Sequence, residues 1–365
     1  MKSLVFAMLL AAAIVLPAAP AQAEDATAAL QAKFDALAPG DTLTLDPQTY
    51  WHGGILQIKV PNVRINGNGA TLQATNDLTS AVQIKAPGVS LSNITLSAPR
   101  GGPRYSANEQ HKLTVEADGV TLSDVTIDGS AAAGVFVYNR AGDFRFDRVT
   151  VRDSRADGIH MTDGAHDGVV NNPLTERTGD DGVAVISYTE RAYGRQAPPC
   201  RNITINSPVV NGTTWGRGVS VGGGENVTYN NVRVSGTSGA GIYVTTEGAP
   251  FFTQNTTHVR VNGGTVTGAN WTPGVVMGAI AVYGEHPGYA TTDVAISDIT
   301  VADTPANAER DIVVWVKDGG SVGGISLRNI AIQRSAAAMR LYSDAPRETY
   351  TVSGLTVDGT PTDVP

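Results

Sequence analysis

An eight-residue phrase returns five times through the middle of this chain, and its spacing leaves few folds open. It reads AAGVFVYN (Ala132–Asn139), ADGIHMTD (Ala156–Asp163), DDGVAVIS (Asp180–Ser187), GRGVSVGG (Gly216–Gly223) and GAGIYVTT (Gly239–Thr246). Gly134, Gly158 and Gly182 stand 24 residues apart, and Gly218 to Gly241 is 23. Around the phrase the chain is a succession of short β segments, such as VSLSNITLS, VTLSDVTIDG and ISLRNIAIQRS, which alternate apolar with polar residues and break at Asn, Asp, Ser or Gly. A period in the twenties with several short strands per repeat predicts an all-β, right-handed parallel β-helix. A leucine-rich repeat would need a helical half per unit, and a sandwich would not return one phrase at constant interval.

Residues 1–23 read as a secretory signal, with Lys2, the apolar run Leu4–Val15 and the small-residue site Ala21-Gln22-Ala23. The remainder, 24–365, is expected to be one domain, exported or periplasmic, with no membrane span. Asp25–Leu37 has helical spacing and precedes Pro39-Gly40-Asp41; it predicts a short helix capping the open end of the solenoid, followed by a strand at Thr42–Leu45. A single cysteine, Cys200, excludes a disulfide framework, and a net charge of −8 argues against nucleic acid as a partner.

Stacked strands lie about 4.8 Å apart, so equivalent positions of successive repeats form columns. The column before the recurring glycine reads Ala133, Asp157, Asp181, Arg217, Ala240, with Asp180 beside Asp181. Three carboxylates and a guanidinium are thus expected within two rungs. Strict alternation would turn Asp157 and Asp181 inward with Ile159 and Val183; the glycine after each is expected to bend the chain and release them. Crowded carboxylates raise one another's pKa and titrate as a set, which suits an acid–base pair for glycoside cleavage with carboxyl groups about 6.5–9.5 Å apart. Calcium is the rival occupant, through Asp157, Asp180, Asp181 and Asp163, and Arg217 opposes it; no His/Cys spacing suggests zinc. His160 falls in an outward column with Phe136, Ala184, Ser220 and Tyr243, where it would serve the site or simply stand exposed.

Long excursions follow the phrase at Ser187–Arg201 and again between Gly241 and Ile280 (EGAPFFTQNTT and ANWTPGVV). They are expected to wall a cleft over the acidic column. Tyr243, Tyr283, Trp271 and Trp315 are candidate sugar-stacking rings. The Asn pairs Asn171-Asn172 and Asn230-Asn231 read as turn ladders.

The order ADG, GDDG, GRG, GAGIYVTT over Arg155–Thr246 resembles the polygalacturonase-like glycoside hydrolases, whose motifs run NTDG, G/Q-DD, GHG and RIK along one face of a parallel β-helix. The resemblance implies Asp180 as general acid and Asp157 with Asp181 as the pair that activates water. It also aligns Arg155, Arg217, Tyr243 and Thr245 with substrate-binding positions, but as departures: Arg155 replaces Asn, Arg217 replaces His, and Tyr243 and Thr245 replace the Arg and Lys that hold a uronate carboxylate. The expectation is an exported, inverting hydrolase of a polysaccharide or oligosaccharide other than polygalacturonate, needing no cofactor. A lyase or uronate epimerase on the same fold, with Arg217, Arg155 and Lys317 as its cations, and a non-catalytic glycan-binding solenoid are the alternatives.

Overall fold

The computed structural model describes residues 24–194 and 196–363; the predicted signal lies outside them. The helix Thr27–Asp35 buries Leu30 and Phe34 against the first coils, closing the end of the core as its spacing predicted. Strands begin at Thr42–Thr44 and continue through Thr49–His52 and Leu56–Ile58, so the solenoid starts ahead of the clearest sequence pattern.

The coils are right-handed and parallel. One side is an 11-stranded sheet with one short strand per coil, running from Leu56–Ile58 to Met339–Ser343. A 19-stranded sheet forms the other sides. Its longer strands turn a corner within themselves: in Thr121–Ser130 the residue at the bend, Asp124, has φ 53°, and Asn93, Asn226 and Asn231 do the same elsewhere. Asn and Asp tolerate that left-handed region because their short polar side chains bond locally. The corner asparagines also stack: Asn206 donates to Asn171, Asn230 to Asn206 and Asn262 to Asn230, at 2.9–3.0 Å. The predicted turn ladder is therefore built by the first residue of each Asn pair, and the second takes the bend.

Inward positions stack Val135, Ile159, Val183, Val219, Ile242, Ile280 and Ile312 in register, all buried. The five phrase glycines stack beside them. A Cβ on Gly158 would fall 2.5 Å from the Gly182 carbonyl oxygen, and one on Gly182 would fall 2.7 Å from that of Gly218. None of the five has a positive φ. They are required by close approach of one coil's backbone to the next, not by the bend expected from the sequence.

Candidate active site

The 11-stranded sheet carries the predicted columns in the predicted register. Gly134 N donates to Asp157 O, Gly158 N to Asp181 O, Gly182 N to Arg217 O and Gly218 N to Ala240 O, all at 2.9–3.0 Å. The strands proper begin one residue after each glycine, at Ile159 and Val183. Asp157 and Asp181 therefore lie in the preceding turn, outside strand alternation, and their side chains escape the core.

They emerge into a cleft of about 400 Å³ lined by Asp157, Asp180 and Asp181 together with His160, Arg104, Arg217, Glu247, Tyr188, Ile186, Trp215 and Phe251. One oxygen from each of the three aspartates lies within 4.8 Å of the others. The three side chains therefore converge on one point of the cleft.

Each carboxylate has its own environment. Asp157 Oδ2 is 2.7 Å from His160 Nδ1, and its Oδ1 accepts from the Asp181 amide at 3.1 Å. Burial opposes its ionisation, but His160, Arg104 and that amide together hold its pKa below the ordinary carboxylate range. The same pairing raises the pKa of His160 against its own burial. His160 is thus buried and hydrogen-bonded to the cluster, not exposed on its strand. Asp181 accepts from the Arg217 amide at 2.7 Å and from the Ser220 hydroxyl. Burial raises its pKa, with Arg217 opposing.

Asp180 is the outlier. Its Oδ2 meets Arg104 at 2.7 Å, whereas its buried Oδ1 has no hydrogen-bond partner. Burial, then Asp157 and Asp181, push its pKa up to about 7, outweighing the pull of Arg104. The cluster therefore holds, side by side, a carboxylate kept ionised and a carboxyl half-protonated at neutral pH.

Arg217 lies in the cleft, donating to Glu247 Oε1 at 2.7 Å and covering the Tyr243 ring at 4.3 Å. Three expectations for the neighbouring positions need correction. Arg155 does not reach the cluster: its guanidinium pairs with Asp77 at 2.6 and 3.1 Å and donates to the Pro99 and Pro103 carbonyls, riveting the 99–104 loop to the solenoid. Tyr243 is buried beneath Arg217, packed edge-on to Tyr283, and supports the site from behind. Thr245 is fully buried and does not line the cleft.

The three aspartates converge closely enough to hold a cation, but their surroundings oppose one. Both oxygens of Asp157 and of Asp181 already accept hydrogen bonds, two guanidinium groups share the cleft, and Asp163 is turned to the Asn139 amide. Lys317 lies away from the cleft over Trp315, beside Asp318.

The walls come partly from the expected excursions. Residues 187–201 and 247–254 leave after the phrase and hold each other: Gln254 donates to the Tyr188 and Ala197 carbonyls, and Thr189 N to Phe252 O. The ANWTPGVV segment instead precedes its strand and lies on the opposite bank, where Asn270 bonds Gly239, Val275 and Met277. On that same bank is the loop bearing Arg104. Trp271 bonds the Gly236 carbonyl at the corner, and the rings that do reach the cleft, Tyr188, Trp215 and Phe251, were not among the candidates. Arg104, Glu247, Trp215 and Phe251 all lie outside the repeat phrase. The available signal was loop length: SAPRGGPRYSANEQHK interrupts the coils as conspicuously as the later excursions do.

Comparison with known proteins agrees with the architecture. A family profile described as a right-handed β-helix region matches residues 80–257. No curated protein matches the chain. Among solved structures, the catalytic domain of a GH87 α-1,3-glucanase in complex with nigerose is 15% identical with a TM-score of 0.60 and covers 86% of this chain. The chain spans 64% of that domain's length. The catalytic unit of a GH87 α-1,3-glucanase from Streptomyces thermodiastaticus is 19% identical (TM-score 0.51; 91% of this chain, 66% of that one). The mannuronan C-5 epimerase AlgE4 A-module of Azotobacter vinelandii is 16% identical (TM-score 0.55; 91% and 96%). No described helix is long and apolar enough to cross a membrane. At these identities the likeness is one of fold: the chain is a right-handed parallel β-helix.

Proposed function

We propose that this protein is an exported glycoside hydrolase that cleaves a polysaccharide or oligosaccharide with inversion, using Asp180, Asp157 and Asp181. The observation that carries the reading is the contrast inside one cleft between Asp180, with a pKa of about 7, and its neighbour Asp157, held ionised. Asp180 gives its proton to the leaving glycosidic oxygen as the C–O bond breaks. Asp157 and Asp181 take the proton of the water that bonds to the anomeric carbon. Two oxygens each about 2.8 Å from one water stand roughly 4.6 Å apart, which suits the separation in the cluster. His160 keeps Asp157 ionised, while Ser220 and the Arg217 amide orient Asp181.

The fold likeness to α-1,3-glucanases makes a neutral glucan a reasonable first substrate, and the likeness to an epimerase raises the uronate alternative. The charge in the cleft opposes the latter. Four carboxyl groups face Arg104, Arg217 and His160, and both guanidinium groups are already paired, with Asp180 and Glu247. A uronate carboxylate would have no cation to itself.

The test is a panel of neutral and acidic polysaccharides in which new reducing ends and unsaturated-product absorbance are followed together. Reducing ends alone, with the released sugar appearing first as the inverted anomer by NMR, are expected. Unsaturated products would establish a lyase, and retention of configuration would make one aspartate a nucleophile.

A further inference from the structure

A polysaccharide that is cut internally must lie through a site open at both ends. Here the sheet floor is covered on either side of the cleft. In the outward column, large side chains flank the small Ala184 and Ser220. Toward the N-terminus these are His160 and Phe136; toward the C-terminus, Tyr243. All are buried. His111 stacks on Phe136 with ring centres 3.9 Å apart, and the loop holding Arg104 reaches over these coils to touch Asp180. At the other end, Tyr243 lies under Arg217 and packs with Met277 and Tyr283, and the Glu247–Phe251 loop forms the cleft wall above it. Along the solenoid axis the sheet floor is covered by side chains and loops on both sides of the cleft.

It does adjoin a second cavity, sideways across the coil. This one is wider, about 810 Å³, and is lined by polar groups that include Ser154, Arg177, Gly179 and Thr214, with Arg155, away from the acidic cluster, also on its wall. Arg104 lines both cavities, and the chain-neighbours Gly179 and Asp180 line one each. The two spaces therefore lie on either side of the pair formed by the proposed acid and Arg104.

We propose that the substrate crosses the solenoid rather than running along it, and that the enzyme removes sugar from the non-reducing end of a chain. This rests on the hydrolase reading above. Asp157 and Asp181, which serve the anomeric carbon, lie in the narrower cavity, so that cavity holds the glycone. This cavity is the narrower of the two, with about half the free space of its neighbour, which suits the end of a chain better than its middle. Trp215 and Phe251, 55% and 37% exposed, offer ring faces to that glycone at its mouth. The rest of the chain leaves past Asp180 and Arg104 into the polar cavity, where hydroxyl groups find donors and acceptors.

The test digests a hydrolysed substrate of the panel with the full chain and follows product length and viscosity from the first minutes. A mono- or disaccharide released alone, with viscosity falling late, is expected. Blocking the non-reducing ends of an oligosaccharide by an acetal should abolish its cleavage. Thr214→Trp, which narrows the outer cavity, should raise KM for longer oligosaccharides about tenfold with kcat little changed. A ladder of products of all lengths with an early viscosity drop, or cleavage of the blocked oligosaccharide, overturns the chain-end proposal and leaves the hydrolase reading standing. Absence of hydrolysis on every substrate overturns both.

Discussion

Replacing Asp180 by Asn separates a catalytic acid from a structural carboxylate by the pH dependence of stability. The folded protein holds the Asp180 proton up to about pH 7, whereas an unfolded chain releases it near the ordinary value of 3.8. A carboxyl whose pKa is raised by folding costs the folded state nothing below pH 3.8. The cost grows as pH climbs toward 7 and is constant above it. About three pKa units at 1.36 kcal/mol each give a ceiling of about 4 kcal/mol. With an unfolding entropy of roughly 2.1 cal/mol/K per residue over about 340 residues, that is about 6 °C in Tm. Asn cannot ionise, so Asp180→Asn should melt with the wild type near pH 4 and up to about 6 °C above it at pH 8. Its turnover should fall by about 10²–10⁴-fold, the usual worth of a positioned acid. Circular dichroism melts at four or five pH values, with reducing-end assays on the same samples, read both effects. A variant that melts below the wild type at pH 8, or keeps its activity, would show an ionised Asp180 serving only to anchor Arg104.

His160→Gln keeps a hydrogen-bond donor near Asp157 but removes the positive charge; kcat should fall about tenfold, and the acidic limb of its pH profile should move upward as Asp157 loses its stabilising cation. Arg155→Met strips Asp77 and two loop carbonyls of their partner and should cost about 3 kcal/mol by denaturant unfolding, with part recovered in the Arg155→Met/Asp77→Asn double variant. Gly182→Ala places a methyl 2.7 Å from a carbonyl oxygen and 2.6 Å from Val210, neither of which can withdraw; a loss of about 1–3 kcal/mol is expected in the same assay.

The solenoid and its acidic column were legible because a repeat writes its own register. Once Gly158 and Gly182 are aligned, Asp157 must sit beside Asp181, and the hydrogen bonds place it there. The orientation of those aspartates was harder to read, since strand parity depends on where a strand starts, and both strands start after the glycine. Loops carry no period, so sequence spacing gave no hint that Arg104 would meet Asp180 or that Glu247 would meet Arg217. Arg155 shows the converse: a residue can hold a motif position while its long side chain spends its charge elsewhere, here on Asp77. Tyr243 and Thr245 occupy motif positions too, but the Glu247–Phe251 wall and Arg217 cover that stretch of sheet and turn them into support.

The glycine column has a consequence for how such a site can change over time. Because each main-chain oxygen fills the space a methyl would need on the coil before it, the turn between Asp157 and Ile159 tolerates neither an added residue nor a bulkier one. Variation in chain length is driven to the segments after Ile186 and Thr246 and before Leu113, which can lengthen without shifting a carboxylate. Descendants of this chain would be expected to exchange one sugar for another by rewriting those margins, with the spacing of the acids inherited unaltered.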